Sequence, residues 1–268
     1  MKQPQNQCVR IELVGTVAHV RLNRPDKLNA VNLDLIDDLI EAAEIVRTAP
    51  DVRVVTLQGE GRAFCAGLDF KSAGKEPSRM KRYLLKVFRR DNHFQRCCMV
   101  WRELPIPVIA VIHGHCYGAG AQIAMAADFR IAHPDAQIAI MEAKWGLVPD
   151  MSGLVTFPDC LPMDQAKLLS MTADPIDGAT ALKHGLVTAV SDDPAALAAA
   201  WTTRLLDRSP DALALTKQLF HRTWNAGPRW SMLWETLYQL KLLRGHNHRI
   251  ARKRGTGEDT DYAPRAIR

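Results

Sequence analysis

The segment from His113 to Asp150 constrains this chain more than any other stretch. An apolar, β-branched run, Val108 to Ile112, leads into Gly114, Gly118 and Gly120, and Gln122 to Ala127 then reads as a buried helix of small residues. A strand that feeds a glycine turn and opens a helix aims unpaired backbone N–H groups at one place. Developing negative charge is favoured there. Glu142 and Asp150 follow closely. Backbone donors for an anion, with carboxylates just behind, are the parts of a site that stabilises an enolate and moves its proton. If the glycines instead serve only tight helix–strand packing, the same pattern would carry no chemistry.

The rest of the chain supplies a scaffold. Val9 to Val14 and Val17 to Leu22 alternate around Gly15-Thr16, which predicts a hairpin. Asn32 can cap a helix with apolar positions at Leu35, Ile36, Leu39, Ile40 and Ala43, ended by Pro50. Val52 to Leu57 reads as a strand closing at Gly59. Ser78 is expected to cap one long helix running to about Glu103, stopped by Pro105 and Pro107. Phe129 to Ala132 and Gln137 to Met141 are short strands. After Asp193 the pattern becomes helical over Ala195–Leu206, Pro210–Trp224 and Arg229–His246, with a loose tail from Gly255. Strand–helix alternation followed by helices predicts an α/β unit over residues 1–192 and a helical region over 193–268.

With 268 residues and 47% hydrophobic composition, the chain can bury a full core. Its six cysteines form no CxxC pair and no zinc spacing with the nine histidines, so a reducing compartment is expected and no metal. His113 and His115 flank Gly114 without a third ligand nearby. No segment approaches the roughly 20 apolar residues of a membrane helix, and the polar start, Met1 to Gln7, lacks the apolar run of a signal peptide. The chain therefore reads as cytoplasmic with no membrane association. The net charge of +6 is mild, concentrates over Lys241 to Arg254, and suits a solvated face better than nucleic acid.

These residues resemble the crotonase family, the enoyl-CoA hydratase/isomerase superfamily. The resemblance rests on Asn23-Arg24-Pro25-Asp26-Lys27-Leu28-Asn29-Ala30, on Gly61 to Asp69, on Gly114 to Ala127, on Glu142 to Asp150, and on Gly185-Leu186-Val187. It implies a crotonase-like spiral of ββα units followed by a helical C-terminal trimerisation region, as a homotrimer or a hexamer built from trimers. It implies acyl-CoA thioester chemistry, as in fatty acid metabolism, with no cofactor beyond the coenzyme A of the substrate. By resemblance, the backbone N–H groups of Leu68 and Ala119 form the oxyanion hole, and Glu142 exchanges a proton with the substrate. The plainer reading of Glu142 is a partner for Lys144, Arg130 or another strand-end cation. Lys27, Leu28, Ala30, Ala66, Gly67, Asp69, Gly118 and Trp145 are the implied substrate-binding positions, although Trp145 could equally be core. Lys27, Lys71 or the Lys241–Arg254 run could meet the CoA phosphates.

Gln122 is a departure from the family. Active hydratases carry a glutamate there, and glutamine can hold a water or a substrate amide but cannot move a proton. Asp150 stands where dienoyl-CoA isomerases place a catalytic aspartate, though those enzymes also carry an aspartate at the position of Gln122. A dehalogenase branch uses the aspartate at position 150 as nucleophile with a tryptophan at 142, which Glu142 argues against. Asp150 would otherwise be a helix N-cap. The site pattern is thus closest to dienoyl-CoA isomerase-like members and implies a double-bond shift through an enolate, with Glu142, Asp150 and Gln122 as the catalytic set. The alternatives are hydration of a 2-enoyl-CoA with a water held by Gln122, and a non-catalytic CoA- or RNA-binding homologue whose only support for RNA is the mild positive charge.

Overall fold

A computed structural model describes residues 1–85 and 90–267. The hairpin forms as the alternation predicts: β1 (Val9–Val14) pairs antiparallel with β2 (Val17–Leu22), and Gly15 takes the positive φ of the turn. Asn32 caps α1 (Leu33–Thr48) by accepting the Leu35 N–H at 3.0 Å. The helix stops before Pro50, which disfavours helical geometry at Ala49. β3 (Val54–Gly59) follows two residues later than its apolar run begins. Next come α2 (Phe70–Ala73), α3 (Pro77–Leu84) and α4 (His93–Arg102).

The single helix expected from Ser78 to Glu103 is therefore corrected. Glu76 takes the N-cap position of α3, and the chain restarts at Asn92, which caps α4 through a reciprocal pair with Gln95. That capping box gives the backbone a local alternative to continuing a helix, and the apolar period hides it. Residues 86–89 of that expected helix lie outside the described residues.

β4 (Val108–Ile112), β5 (His115–Tyr117), α5 (Ala119–Met125), β6 (Phe129–Ala132) and β7 (Gln137–Ala139) come next. They are followed by α6 (Gly153–Thr156), α7 (Met163–Thr172), α8 (Gly178–His184) and β8 (Ala189–Val190). The main sheet has the order β1-β2-β3-β4-β6-β8, parallel after its first pair, and β5 pairs with β7 in a small second sheet. Every residue of β4 is buried, as in a parallel strand covered on both faces. Val108, Ala110 and Ile112 face the main core, which also holds residues of α1, α4 and α5. Ile109 and Val111 face the opposite side, where α9 (Pro194–Leu206) covers the sheet with Leu197, Ala198, Trp201 and Leu205.

The remaining helices are α10 (Pro210–Thr223), α11 (Pro228–Leu243) and α12 (His246–Gly255). The expected helix through His246 is split at Gly245, an extended N-cap for α12. The tail is tied down as far as residue 267. The buried Asp211 carboxylate accepts the Ala266 and Ile267 N–H groups at 2.8 and 3.1 Å and the Asn247 amide at 2.8 Å. Lys217 of α10 reaches into the core, where it pairs with Asp128 at 2.8 Å and donates to the carbonyls of Trp101 and Ile106.

Candidate active site

A cavity of about 700 Å³ opens between the small sheet, the 3-10 turn Glu142–Trp145 and α3. Its position follows from strand register. Cys65 and Cys116 are parallel bridge partners, tied by Cys65 N–H to the His115 carbonyl and Tyr117 N–H to the Cys65 carbonyl, both at 2.9 Å. Residues 68 and 119 therefore lie equally far along two chains running in the same direction. The approach is close: a Cβ on Gly120 would sit 2.6 Å from the Cβ of Cys65, so only glycine fits.

Ala119 is the first residue of α5, so its N–H has no acceptor within the helix. The Leu68 N–H likewise donates to no backbone carbonyl among the described residues. Both residues line the cavity. Gly118 turns the chain with φ +47°, which favours glycine, and sits in contact range of the Glu142 carboxylate.

Glu142 is buried, and it makes no ion pair with Lys144 or Arg130. Arg130 instead donates to the carbonyls of Leu186 and Ala127. The Glu142 Oε1 accepts the Gln122 amide at 2.6 Å, while Oε2 is buried with no hydrogen-bond partner among the described residues. Burial pushes the carboxyl above the ordinary glutamate range; its own backbone N–H and the Gln122 amide oppose the rise, and the Asp150 charge adds to it. A buried acceptor left unpaired is rare and points to a role in chemistry.

Asp150 lines the same cavity but remains exposed at its mouth. Among the described residues it bonds to no other side chain and caps no helix; the N-cap position of α6 is Ser152. The cavity walls crowd its carboxyl enough to raise it above the ordinary aspartate range, its own backbone N–H opposing.

Other expected positions divide into two groups. Ala66, Gly67, Gly118 and Trp145 line the cavity. Trp145 is not core: it is 57% exposed and rests on Phe70 with ring centroids 5.0 Å apart. Lys27, Leu28, Ala30 and Asp69 are not on the cavity wall. The Ala66 N–H donates to the Leu28 carbonyl at 2.9 Å, Lys27 is exposed, and Arg24 joins the Ala30 carbonyl to Asp69. Asp69 also caps α2 through the Ser72 N–H at 3.0 Å. Gln122 is fully buried behind Glu142 and is not on the cavity wall.

The far wall was not foreseen. Met80, Lys81, Leu84 and Leu85 reach the cavity from α3 and just beyond it, with Phe94 from α4. No local motif marks them, because their role depends on where α3 docks. Tyr117, Phe70, Met141, Leu147 and Met151 also line the cavity, and these lie within or beside the motifs already singled out.

This α/β architecture places a glycine turn and two carboxylates, Glu142 and Asp150, on one cavity. The family model for Enoyl-CoA hydratase/isomerase matches residues 12–233. The chain is 32% identical over 213 residues to (E)-benzylidenesuccinyl-CoA hydratase of Thauera aromatica, covering 78% of this chain and 80% of that one. It is 30% identical over 229 residues to the peroxisomal Delta(3,5)-Delta(2,4)-dienoyl-CoA isomerase of Arabidopsis thaliana, covering 81% of each. The solved enoyl-CoA hydratase of Thermoplasma volcanium GSS1 superposes with TM-score 0.83 at 27% identity, over 94% of this chain and 98% of that one. The chain belongs to the enoyl-CoA hydratase/isomerase family, the crotonase family, and has its fold with a C-terminal helical region.

Proposed function

We propose that this enzyme shifts a carbon–carbon double bond of an enoyl- or dienoyl-CoA through an enolate. The observation that carries the reading is the pair of carboxylates, Glu142 and Asp150, both raised toward neutral pH by their surroundings, on one largely apolar cavity that Leu68 and Ala119 also border. The Leu68 and Ala119 N–H groups bind the thioester oxygen and stabilise the charge that develops on it, each contributing about 2.7–4 kcal/mol in comparable oxyanion holes. Glu142 takes a proton from the carbon beside the thioester. The electron pair moves into the conjugated system, and a remote carbon takes a proton from Asp150. The product is an isomer with no atom gained or lost. Lys81 at the wall and the exposed Lys27 offer charge to the CoA phosphates.

Hydration of a 2-enoyl-CoA is the second reading, favoured by the likeness to a hydratase. In this site Asp150, at the open mouth, would have to activate the water, because Gln122 is sealed behind Glu142. Mass spectrometry of products from a panel of enoyl- and dienoyl-CoA thioesters separates the two. A shifted double bond at unchanged mass supports isomerisation, and a gain of water overturns it. Glu142→Gln should lower kcat by roughly 10²–10⁴-fold while acyl-CoA still binds; turnover near that of the unaltered enzyme would remove Glu142 from the mechanism.

The same proposal includes assembly and setting. Residues 1–192 carry every wall residue of the cavity, and residues 193–268 carry α11, which buries none of its residues. Trp230, Met232, Leu233, Leu237 and Leu240 of α11 are exposed, an apolar surface that copies of this chain would cover in a homotrimer or hexamer. All six cysteines are free, which suits a reducing, cytoplasmic setting. No helix among the described residues is long and apolar enough to cross a membrane.

A further inference from the structure

We propose that Gln122 is a positioning residue: one side-chain amide orients both acids of the site and dedicates a single oxygen of Glu142 to proton transfer. The proposal rests on the reading of Glu142 as the proton carrier.

Gln122 has no exposed surface, and both ends of its amide are engaged. Its Oε1 accepts the N–H groups of Met151 and Gly153 at 2.9 and 3.0 Å, and its Nε2 donates to Glu142 Oε1 at 2.6 Å. The two N–H donors settle the orientation of the amide, because only an oxygen can face them. The nitrogen must then face Glu142. Ser152, between the two donors, has φ +72°, a left-handed conformation that a serine rarely takes, and the bend turns both N–H groups onto one acceptor. Gly153 is required there: a Cβ would lie 2.9 Å from Gln122 Oε1 and 2.7 Å from the Phe157 ring.

The consequences run two ways. Glu142 always receives a donor on Oε1, so its ionised form is favoured, and its remaining oxygen, Oε2, carries no competing partner among the described residues. Asp150 immediately precedes Met151, so the same amide anchors the loop that presents the second acid. A carboxyl at position 122 could do both only while protonated, since the ionised group has no donor for Glu142. Against Glu142 at such a distance it would have to keep a proton or repel its neighbour.

The test uses Gln122→Met, of similar length with no donor or acceptor, and Gln122→Glu, both in the full-length enzyme. In Gln122→Met, kcat should fall by roughly 10²-fold, the cost of a misplaced catalytic group, while KM for the acyl-CoA changes little. The acid limb of its kcat profile should move to higher pH, because the charged carboxylate has lost its donor. Gln122→Glu should add a second inflection as the acid pair sheds its shared proton. Infrared titration of the Glu142 carboxyl in substrate-free protein, assigned by its disappearance in Glu142→Gln, should show the same upward move in Gln122→Met without relying on any reaction. A Glu142 titration unchanged in Gln122→Met overturns the proposal. So does loss of folded structure in both variants, which makes the role structural. If the titration moves but no enoyl- or dienoyl-CoA is turned over by the unaltered enzyme, the positioning stands and the assigned reaction falls.

Discussion

The segment from Gly114 to Met141, with Glu142, and the helix α11 treat their side chains in opposite ways. The first hides polar groups: Gln122 is buried within α5, whose residues are all buried and mostly small, and Glu142 is buried against it. The second exposes apolar ones: α11 has sixteen residues and none is buried. Small residues let backbones approach within reach of a ligand, as at Gly120 against Cys65, and a site built from main-chain amides needs that closeness. Large apolar residues around a helix cannot all find cover within one chain, which is why α11 was assigned to the proposed assembly. Site and proposed assembly surface thus differ in side-chain volume as much as in position.

The sharpest way to break this contrast is Lys217, where the helical region does bury a charge. Its pairing with Asp128 at 2.8 Å ties α10 to the core, and burial lowers the lysine from its ordinary range. Lys217→Met should cost about 3–5 kcal/mol, the usual loss when one partner of a buried pair is removed. Denaturant unfolding measures it, and a loss below the size of an ordinary surface change would mean that α10 is held by apolar contact alone.

A smaller effect concerns the cost of keeping an acid in the buried segment. The Glu142 carboxyl is raised in the folded protein, so the folded state holds its proton more tightly than the unfolded one. That contribution is fully present below the ordinary glutamate value and is lost as pH rises through the folded value. Near neutral pH the charged group therefore costs stability, and Glu142→Gln should melt at a higher temperature than the unaltered protein. The difference should vanish in acid. Melting curves across pH check the sign; a variant that is less stable at neutral pH would show that the carboxylate is a net structural partner.

The smallest effect is expected on α11. Leu237→Ser and Trp230→Ser should change the unfolding free energy of one chain by no more than about 0.5 kcal/mol, as at exposed sites, yet shift the sedimentation of the enzyme toward monomer. A large loss of chain stability with unchanged assembly would reverse the assignment of α11.

Much of this was legible in the sequence where the determinant is local. Gly15 and its alternating flanks gave the hairpin, Asn32 the start of α1, and the glycine segment the turn into α5. The family resemblance correctly named the crotonase fold. The long helix expected past Ser78 failed because apolar period is blind to a capping box at Asn92. The tail from Gly255 looked loose because nothing in it announces Asp211, a carboxylate far away in the chain that accepts its N–H groups.

What the residues determine by themselves is therefore the local grammar: turns, caps, strand faces, and the chemical types at positions 142, 150 and 122. What only the tertiary structure decided is who meets whom. The parallel register of Cys65 with Cys116 brings Leu68 level with Ala119, and the bend at Ser152 delivers two amides to Gln122. Such meetings depend on how whole elements dock, and docking energy is shared over the entire core rather than written at either partner.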